Sequence, residues 1–144
     1  MIKIGYTYVV GDIFHIGHLQ YLQSGKKLCD KLIVGVLTDD AVMEKKQKPI
    51  ISYKERLETV NNISCVDVAV QQKTYSPIPN VEALGVDILF ESSSHSLGAI
   101  SEARKVMKKL GGKVKVFPYH KGQSSTKIKN KIKNEYAQSP TIHS

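Results

Sequence analysis

Two histidines three residues apart, His15 and His18, flank Gly17 directly after an apolar, β-branched run. Residues three apart share a face where a helix begins, and a helix N-terminus turns unpaired N–H groups toward anions. Gly17 leaves its flank bare, so a ligand can come close to the backbone. A pair placed there suits a phosphate ligand. Zinc is the rival chemistry, but His95 and His120 are distant in sequence and no convincing third or fourth ligand lies nearby. A run of hydroxyls, Ser124-Ser125-Thr126, opens the last helical stretch; it can cap that helix, hold phosphate oxygens, or do both. Lys45 and Arg56 offer cations between these two segments. Arg56 is one of only two arginines in a lysine-dominated chain, and its planar fork suits bidentate phosphate binding; the competing role is a surface ion pair with Glu55 or Glu58. Finally, Glu91-Ser92-Ser93-Ser94-His95-Ser96 is a small hydroxyl-rich segment with one histidine. It suits a polar or anionic acceptor, or else is a flexible turn.

The elements that must position these residues alternate. Ile2–Val10 reads as a buried strand, followed by a turn at Gly11-Asp12 and a helix over Ile16–Leu28 that ends in lysines. Lys31–Leu37 is a second strand, and Thr38-Asp39-Asp40 marks a helix start. Ser52 and Glu55 have the spacing of a capping box that opens a helix through Leu57 and Val60. Val66–Val70 is a third strand and Val86–Phe90 a fourth, with a short helix near Val81–Leu84 between them. Leu97–Leu110 is a helix closed by Gly111-Gly112; Lys113–Phe117 is a fifth strand, and a last helix runs from about Ser124 to Tyr136. Strand–helix alternation predicts an α/β fold: one Rossmann-like domain, residues 1–136, with a five-stranded parallel sheet and helices on both faces. Residues 137–144 are expected to be a frayed tail. In such sheets the ligand lies beyond the carboxyl ends of the strands, where strand order reverses. The loops after strands one, two, four and five are therefore the places for a site.

At 144 residues the chain can bury one core. No apolar run approaches the length of a membrane span. Cys29 and Cys65 lack CxxC spacing and read as small core residues in a reduced, cytoplasmic setting. The formal net charge is +8, and eleven cations crowd the stretch from Arg104 to Lys133. That balance suggests an anionic partner. With 7% aromatic residues and no Trp, a stacking platform for nucleic acid is not in evidence, so a nucleoside triphosphate explains the charge as well.

His15-Ile16-Gly17-His18 resembles the HxGH signature of the cytidylyltransferase-like nucleotidyltransferase superfamily. Gly122-Gln123-Ser124-Ser125-Thr126-Lys127-Ile128 resembles that superfamily's second signature, and the likeness spans residues 2–133. The chain is similar to glycerol-3-phosphate cytidylyltransferases, to phosphonate cytidylyltransferases and to the adenylyltransferase of the heptose nucleotide pathway. The resemblance implies nucleotidyl transfer: a phosphate or phosphonate attacks the α-phosphorus of an NTP and pyrophosphate leaves. His15, His18, Lys45 and Arg56 would then be the catalytic set, with Val10, Gly11, Asp12, Gly17, Ser124, Ser125 and Thr126 around the nucleotide. Glu91, Ser92, His95 and Tyr119 would form the acceptor or base region. The resemblance also implies Mg²⁺ carried on phosphate oxygens without a protein metal site, and a homodimer.

Three positions depart from the pattern. Val9 stands where a glycine is usual, Tyr119 replaces an arginine of the glycerol-3-phosphate enzymes, and the segment after strand four lacks their acidic-Trp run. The expected donor is CTP, on the likeness of Ile51–Arg56, of Val66-Asp67 on strand three and of Thr126-Lys127-Ile128 to the cytidylyl branch. The alternatives are ATP with a sugar phosphate, and a non-catalytic nucleotide sensor.

Overall fold

The computed structural model describes residues 1–118 and 124–136. Five strands pair in the order β3-β2-β1-β4-β5, all parallel: β1 Ile4–Val9, β2 Lys31–Leu37, β3 Val68–Gln72, β4 Ile88–Ser92 and β5 Lys113–Phe117. Between and after them come α1 Ile16–Lys26, α2 Asp39–Met43, α3 Tyr53–Asn61, α4 Ile78–Leu84, α5 Leu97–Lys109 and α6 Ser125–Glu135. The expected α/β architecture is therefore present, with a core on each face of the sheet. On one face Tyr6, Tyr8, Leu37 and Leu89 pack with Val42 of α2, Val81 of α4 and Met107 of α5. On the other, Val34, Val36, Ile88 and Phe90 pack with Leu22 of α1 and Val60 of α3. Cys29 and Cys65 pack partly buried on this second core.

β3 and β4 begin later than the sequence predicts, and for one reason. Val66-Asp67 and Val86-Asp87 both read as strand, but each aspartate stands just before its strand, its own N–H donating to a carbonyl of the neighbouring strand (Leu32 at 3.0 Å, Ile4 at 2.8 Å) and its carboxylate accepting an amide from that strand. Asp67 takes Leu32 N at 2.7 Å and pairs with Lys26 at 2.8 Å. Asp87 takes Ile4 N at 2.8 Å. Each carboxylate satisfies a backbone donor at the start of the adjacent strand, where the ladder supplies no partner.

Strand order reverses at β1, and there the sheet opens. β1 pairs with β2 through Val9, but with β4 only at Gly5 and Tyr6. Above Tyr6 the ladder is replaced by side chains: the Phe90 carbonyl accepts from the Thr7 hydroxyl at 3.3 Å and the Tyr21 hydroxyl at 3.2 Å. Parting strands at a topological switch point make the crevice in which open α/β sheets bind ligands. Gly35 permits the sheet to close on the other side of β1. A Cβ there would meet the Tyr6 hydroxyl at 2.0 Å, which donates to Gln72 Oε1 at 2.5 Å and accepts from Asn80 at 2.9 Å.

Candidate active site

The loop from β1 to α1 turns sharply. Gly11 has φ 73°, and Ile13 has φ 48°, a left-handed conformation rarely adopted by a β-branched residue. Such strain persists only where the surroundings impose it. Its result is that His15 lands at the N-cap of α1. There the two histidines form a reciprocal cap: Gly17 N donates to His15 Nδ1 at 3.0 Å, and His15 N donates to His18 Nδ1 at 3.1 Å. Each Nδ1 therefore carries a lone pair, and in a neutral ring the proton sits on Nε2. The rings lie 4.1 Å apart, and His18 stacks on Phe14 at 5.0 Å. Burial, followed by the neighbouring His15, pushes His18 down to about 4, against an opposing pull from Asp12. His18 is thus neutral near pH 7. Among the described residues the Tyr53 hydroxyl is the one side-chain polar atom both buried and unpartnered; His18 Nε2, which has no partner there, is open to solvent.

Asp12 ties three segments together. It is 3% exposed and accepts Ile50 N at 3.1 Å, Ile51 N at 2.9 Å and the Lys129 ammonium at 2.5 Å. Burial alone would raise its carboxyl; the Lys129 hydrogen bond and the two amides outweigh that and hold it below the usual carboxylate range. The Ser125 hydroxyl donates to the Asp12 carbonyl. Asp12 was expected to line the nucleotide, whereas its side chain joins the histidine loop to residues 50–51 and to α6. The hydroxyl run sits at the start of α6: Ser124 is the N-cap, accepting Lys127 N at 3.0 Å, and Thr126 is exposed. Gly122, Gln123 and Tyr119 lie outside the described residues.

Arg56 corrects the sequence reading. It was expected to reach phosphate, or to pair with Glu55 or Glu58 at the surface. Its side chain is instead fully buried and bound to Asp39 at 2.7 Å. Nη1 donates to the carbonyls of Val10 at 2.6 Å and Leu37 at 2.8 Å, and Nε donates to Ile51 at 3.1 Å. Four of the five guanidinium N–H groups are thereby engaged, and they hold together the ends of β1 and β2 and the segment before α3. Lys45 is exposed, with its ammonium 5.0 Å from the centre of the Tyr75 ring, a contact the sequence reading did not include.

Across the crevice, Glu91 is 2% exposed and accepts the Tyr8 hydroxyl at 2.8 Å. His95 Nδ1 bonds the same carboxylate, lies 3.2 Å from the Tyr8 oxygen, and its ring stacks on Tyr8 at 5.3 Å. Burial first, then Glu91, pushes the Tyr8 phenol far up, so it remains a donor. The segment forms a hydrogen-bonded turn: Ser94 N donates to Ser92 Oγ at 3.2 Å, His95 N donates to Ser92 O at 3.0 Å, and Ser96 caps α5.

Sequence reasoning missed Lys129 and Tyr8. Lys129 alternates with Lys127, Lys131 and Lys133, which are exposed, so nothing local marks it. Tyr8 reads as one more core residue of β1.

The Cytidylyltransferase-like family profile matches residues 11–134, from the turn before the histidines almost to the end of α6. The chain belongs to the cytidylyltransferase-like family. It is 32% identical over 136 residues to the bifunctional protein HldE of Citrifermentans bemidjiense, a match covering 93% of this chain and 28% of that protein. HldE of Helicobacter pylori shows the same identity and the same coverage. The chain thus spans little more than a quarter of the length of these relatives. Among solved structures, the lipopolysaccharide core biosynthesis protein of Thermoplasma volcanium has a TM-score of 0.73 at 27% identity, covering 85% of this chain and 100% of that one. TmcAL of Thermotoga maritima, solved with alpha-thio ATP, shares the fold at a TM-score of 0.66 and 13% identity, over 93% of this chain and 50% of that one. This member of the cytidylyltransferase-like family accordingly has a Rossmann-like fold. Among the described residues no helix is long and apolar enough to cross a membrane.

Proposed function

We propose that the protein transfers AMP from ATP to the phosphate of a small acceptor, a sugar phosphate, and releases pyrophosphate. The observation that carries the reaction class is the histidine pair at the start of α1, in which His18 is neutral and tied through Nδ1 so that its Nε2–H remains for the ligand. An acceptor phosphate oxygen attacks the α-phosphorus in line and forms a new P–O–P bridge. The bond to the β-phosphate oxygen breaks, and pyrophosphate leaves with its electron pair. No covalent enzyme intermediate is needed, so positioning and charge stabilisation make up the catalysis. His15 and His18 donate hydrogen bonds to the oxygens on which charge gathers. Ser124, Ser125, Thr126 and the first amides of α6 hold the outer phosphates, and Lys45 swings from Tyr75 to the triphosphate. Arg56 acts as a positioning residue beneath the loop that carries the histidines.

ATP takes the place of CTP in this reading. The HldE relatives support it, because they belong to the adenylyl-transferring branch that the sequence also resembles. Of the residues that pointed to CTP, two have structural work: Asp67 caps β2 and Arg56 clamps β1 to β2. Mg²⁺ would arrive on the nucleotide. Asp12, the buried carboxylate near the histidines, is already taken by two amides and Lys129, and among the described residues no three His, Cys, Asp or Glu side chains gather. On family grounds the assembly is a homodimer, which light scattering would refute with a mass of 16.0 kDa.

The test is a matrix of ATP and CTP with Mg²⁺ against sugar phosphates, glycerol phosphate and phosphonates, scored for pyrophosphate and for the nucleotide-linked product. ATP with a sugar phosphate should give the highest kcat/KM. A tenfold preference for CTP would restore cytidylyl transfer. Tight nucleotide binding without pyrophosphate from any pair would make the protein a sensor.

A further inference from the structure

The three described histidines at the switch point are wired in opposite senses. At His15 and His18, Nδ1 accepts a backbone N–H, which leaves Nε2–H as a donor. At His95, Nδ1 faces the Glu91 carboxylate. A carboxylate accepts hydrogen bonds and offers none, and the Tyr8 proton is directed to the same carboxylate at 2.8 Å. The proton between His95 and Glu91 is therefore on Nδ1, and in a neutral ring Nε2 carries the lone pair. A buried carboxylate orients a catalytic imidazole in the same way. His95 Nε2 has no partner among the described residues and is open to solvent, by the same reasoning as for His18.

The ring is held on three sides: stacked on Tyr8, bonded to Glu91 and fixed by the turn through Ser92 and Ser96. Glu91 itself is 2% exposed, and its described partners are Tyr8 and His95 alone. Desolvating a carboxylate is costly even when it is paired, and an apolar residue would fill this position of β4 without that cost. The fold thus does not require the arrangement, whereas orienting an imidazole does.

We propose that His95 Nε2 is a specificity-determining acceptor that takes a hydrogen bond from a neutral N–H or O–H of the substrate, across the crevice from the histidines that donate to phosphate. The donor is either the exocyclic amino group of the base or a hydroxyl of the acceptor. A site built to pair with such a group discriminates strongly against an analogue that lacks it, because the site's own polar atom is left unpaired. Tyr8 and Glu91 are positioning residues that act through His95. The inference rests on the nucleotidyl-transfer reading above.

The test uses the full chain and has two readouts. First, kcat/KM is compared for ATP and inosine triphosphate, which carries oxygen in place of the amino group, and for the acceptor and its single-deoxy analogues. Wild type should favour the parent by about tenfold or more in one of the two arms. His95→Ala should bring that ratio below about threefold through KM for the parent compound, and Glu91→Gln should move it the same way. The arm that moves identifies the contact; a folded His95→Ala in which neither arm moves overturns the proposal. Second, long-range ¹H–¹⁵N spectra of the histidine side chains at pH 7.5 should show protonated Nδ1 and bare Nε2 at His95, and the reverse at His18. Protonated Nε2 at His95 overturns the proposal independently of turnover. Absence of transfer by wild type, with the expected tautomer at His95, would instead overturn the nucleotidyl-transfer reading alone.

Discussion

Replacing Arg56 separates a phosphate-binding role from a structural one. In Arg56→Lys the charge stays near Asp39, but one ammonium cannot reach the carbonyls of Val10, Leu37 and Ile51 at once as the guanidinium does. Leaving two buried carbonyls without a donor costs about 1–2 kcal/mol each, in the lower part of the range for a buried unsatisfied group, so a loss of about 2–4 kcal/mol is expected. Arg56→Ala also strands Asp39 and should lose roughly 3–5 kcal/mol, as when one partner of a buried ion pair is removed. At about 2–4 °C per kcal/mol for a chain near this size, Arg56→Lys should melt roughly 5–15 °C below wild type. Thermal unfolding followed by circular dichroism reads this directly, and urea midpoints give the free energy. Because the clamp holds the loop bearing His15 and His18, kcat should fall as well, with KM for ATP changing less. The opposite pattern, a melting temperature within 2 °C of wild type (about 1 kcal/mol or less) and a large rise in KM for ATP, would refute the clamp and return Arg56 to the phosphates.

His18→Ala should lower kcat by about 10²–10³-fold, as for loss of one preorganised donor; near-normal turnover in a folded variant would contradict the assignment. His18 also makes stability depend on pH. Its folded value near 4 lies below the ordinary histidine value of 6.5, so the unfolded chain binds the proton more readily, and stability is lost as pH falls from about 6.5 toward 4. The loss is at most about 3 kcal/mol, and the difference in urea midpoints between wild type and His18→Gln across that range should reveal it. Lys129→Met should leave Asp12 buried with no cation and release α6 from the histidine loop, speeding amide exchange over residues 128–135 and raising KM for ATP; unchanged exchange would deny that the ion pair anchors the helix. Tyr53→Phe removes the unpartnered buried hydroxyl and should be neutral or stabilising by up to about 1 kcal/mol; a folded variant that loses activity would make that hydroxyl a ligand contact.

Much of this was legible in the chain because local patterns carry it. Ser52 and Glu55 sit three apart, and Ser52 does cap α3 through Glu55 N. The continuous apolar run of β2 marks both strand ends, Lys31 and Leu37. The helical spacing of Ile16, Leu19 and Leu22 located the start of α1. What escaped depends on partners distant in sequence. Asp67 and Asp87 look like strand residues until the neighbouring strands bring Leu32 N and Ile4 N to them. Arg56 carries the polarity of a surface residue, and only the joined ends of β1 and β2 supply the carbonyls that bury it. Tyr8 and Glu91 lie 83 residues apart, and no pattern within either strand shows that they meet.

The order of the strands has a consequence for synthesis. β1 is made first but lies in the middle of the sheet, and its second neighbour, β4, begins at Ile88. A nascent chain that has folded β1, β2 and β3 presents β1 as a bare edge, apolar on both faces, with the Asp87 carboxylate that will occupy Ile4 N not yet available. Exposed edges of this kind pair readily with other chains, and partly made α/β sheets are prone to do so. A ribosome that stalls or a protease that cuts between α4 and β4 would therefore release a sticky fragment, one that already carries both histidines of the first loop but neither Glu91 nor the helix that grips Asp12.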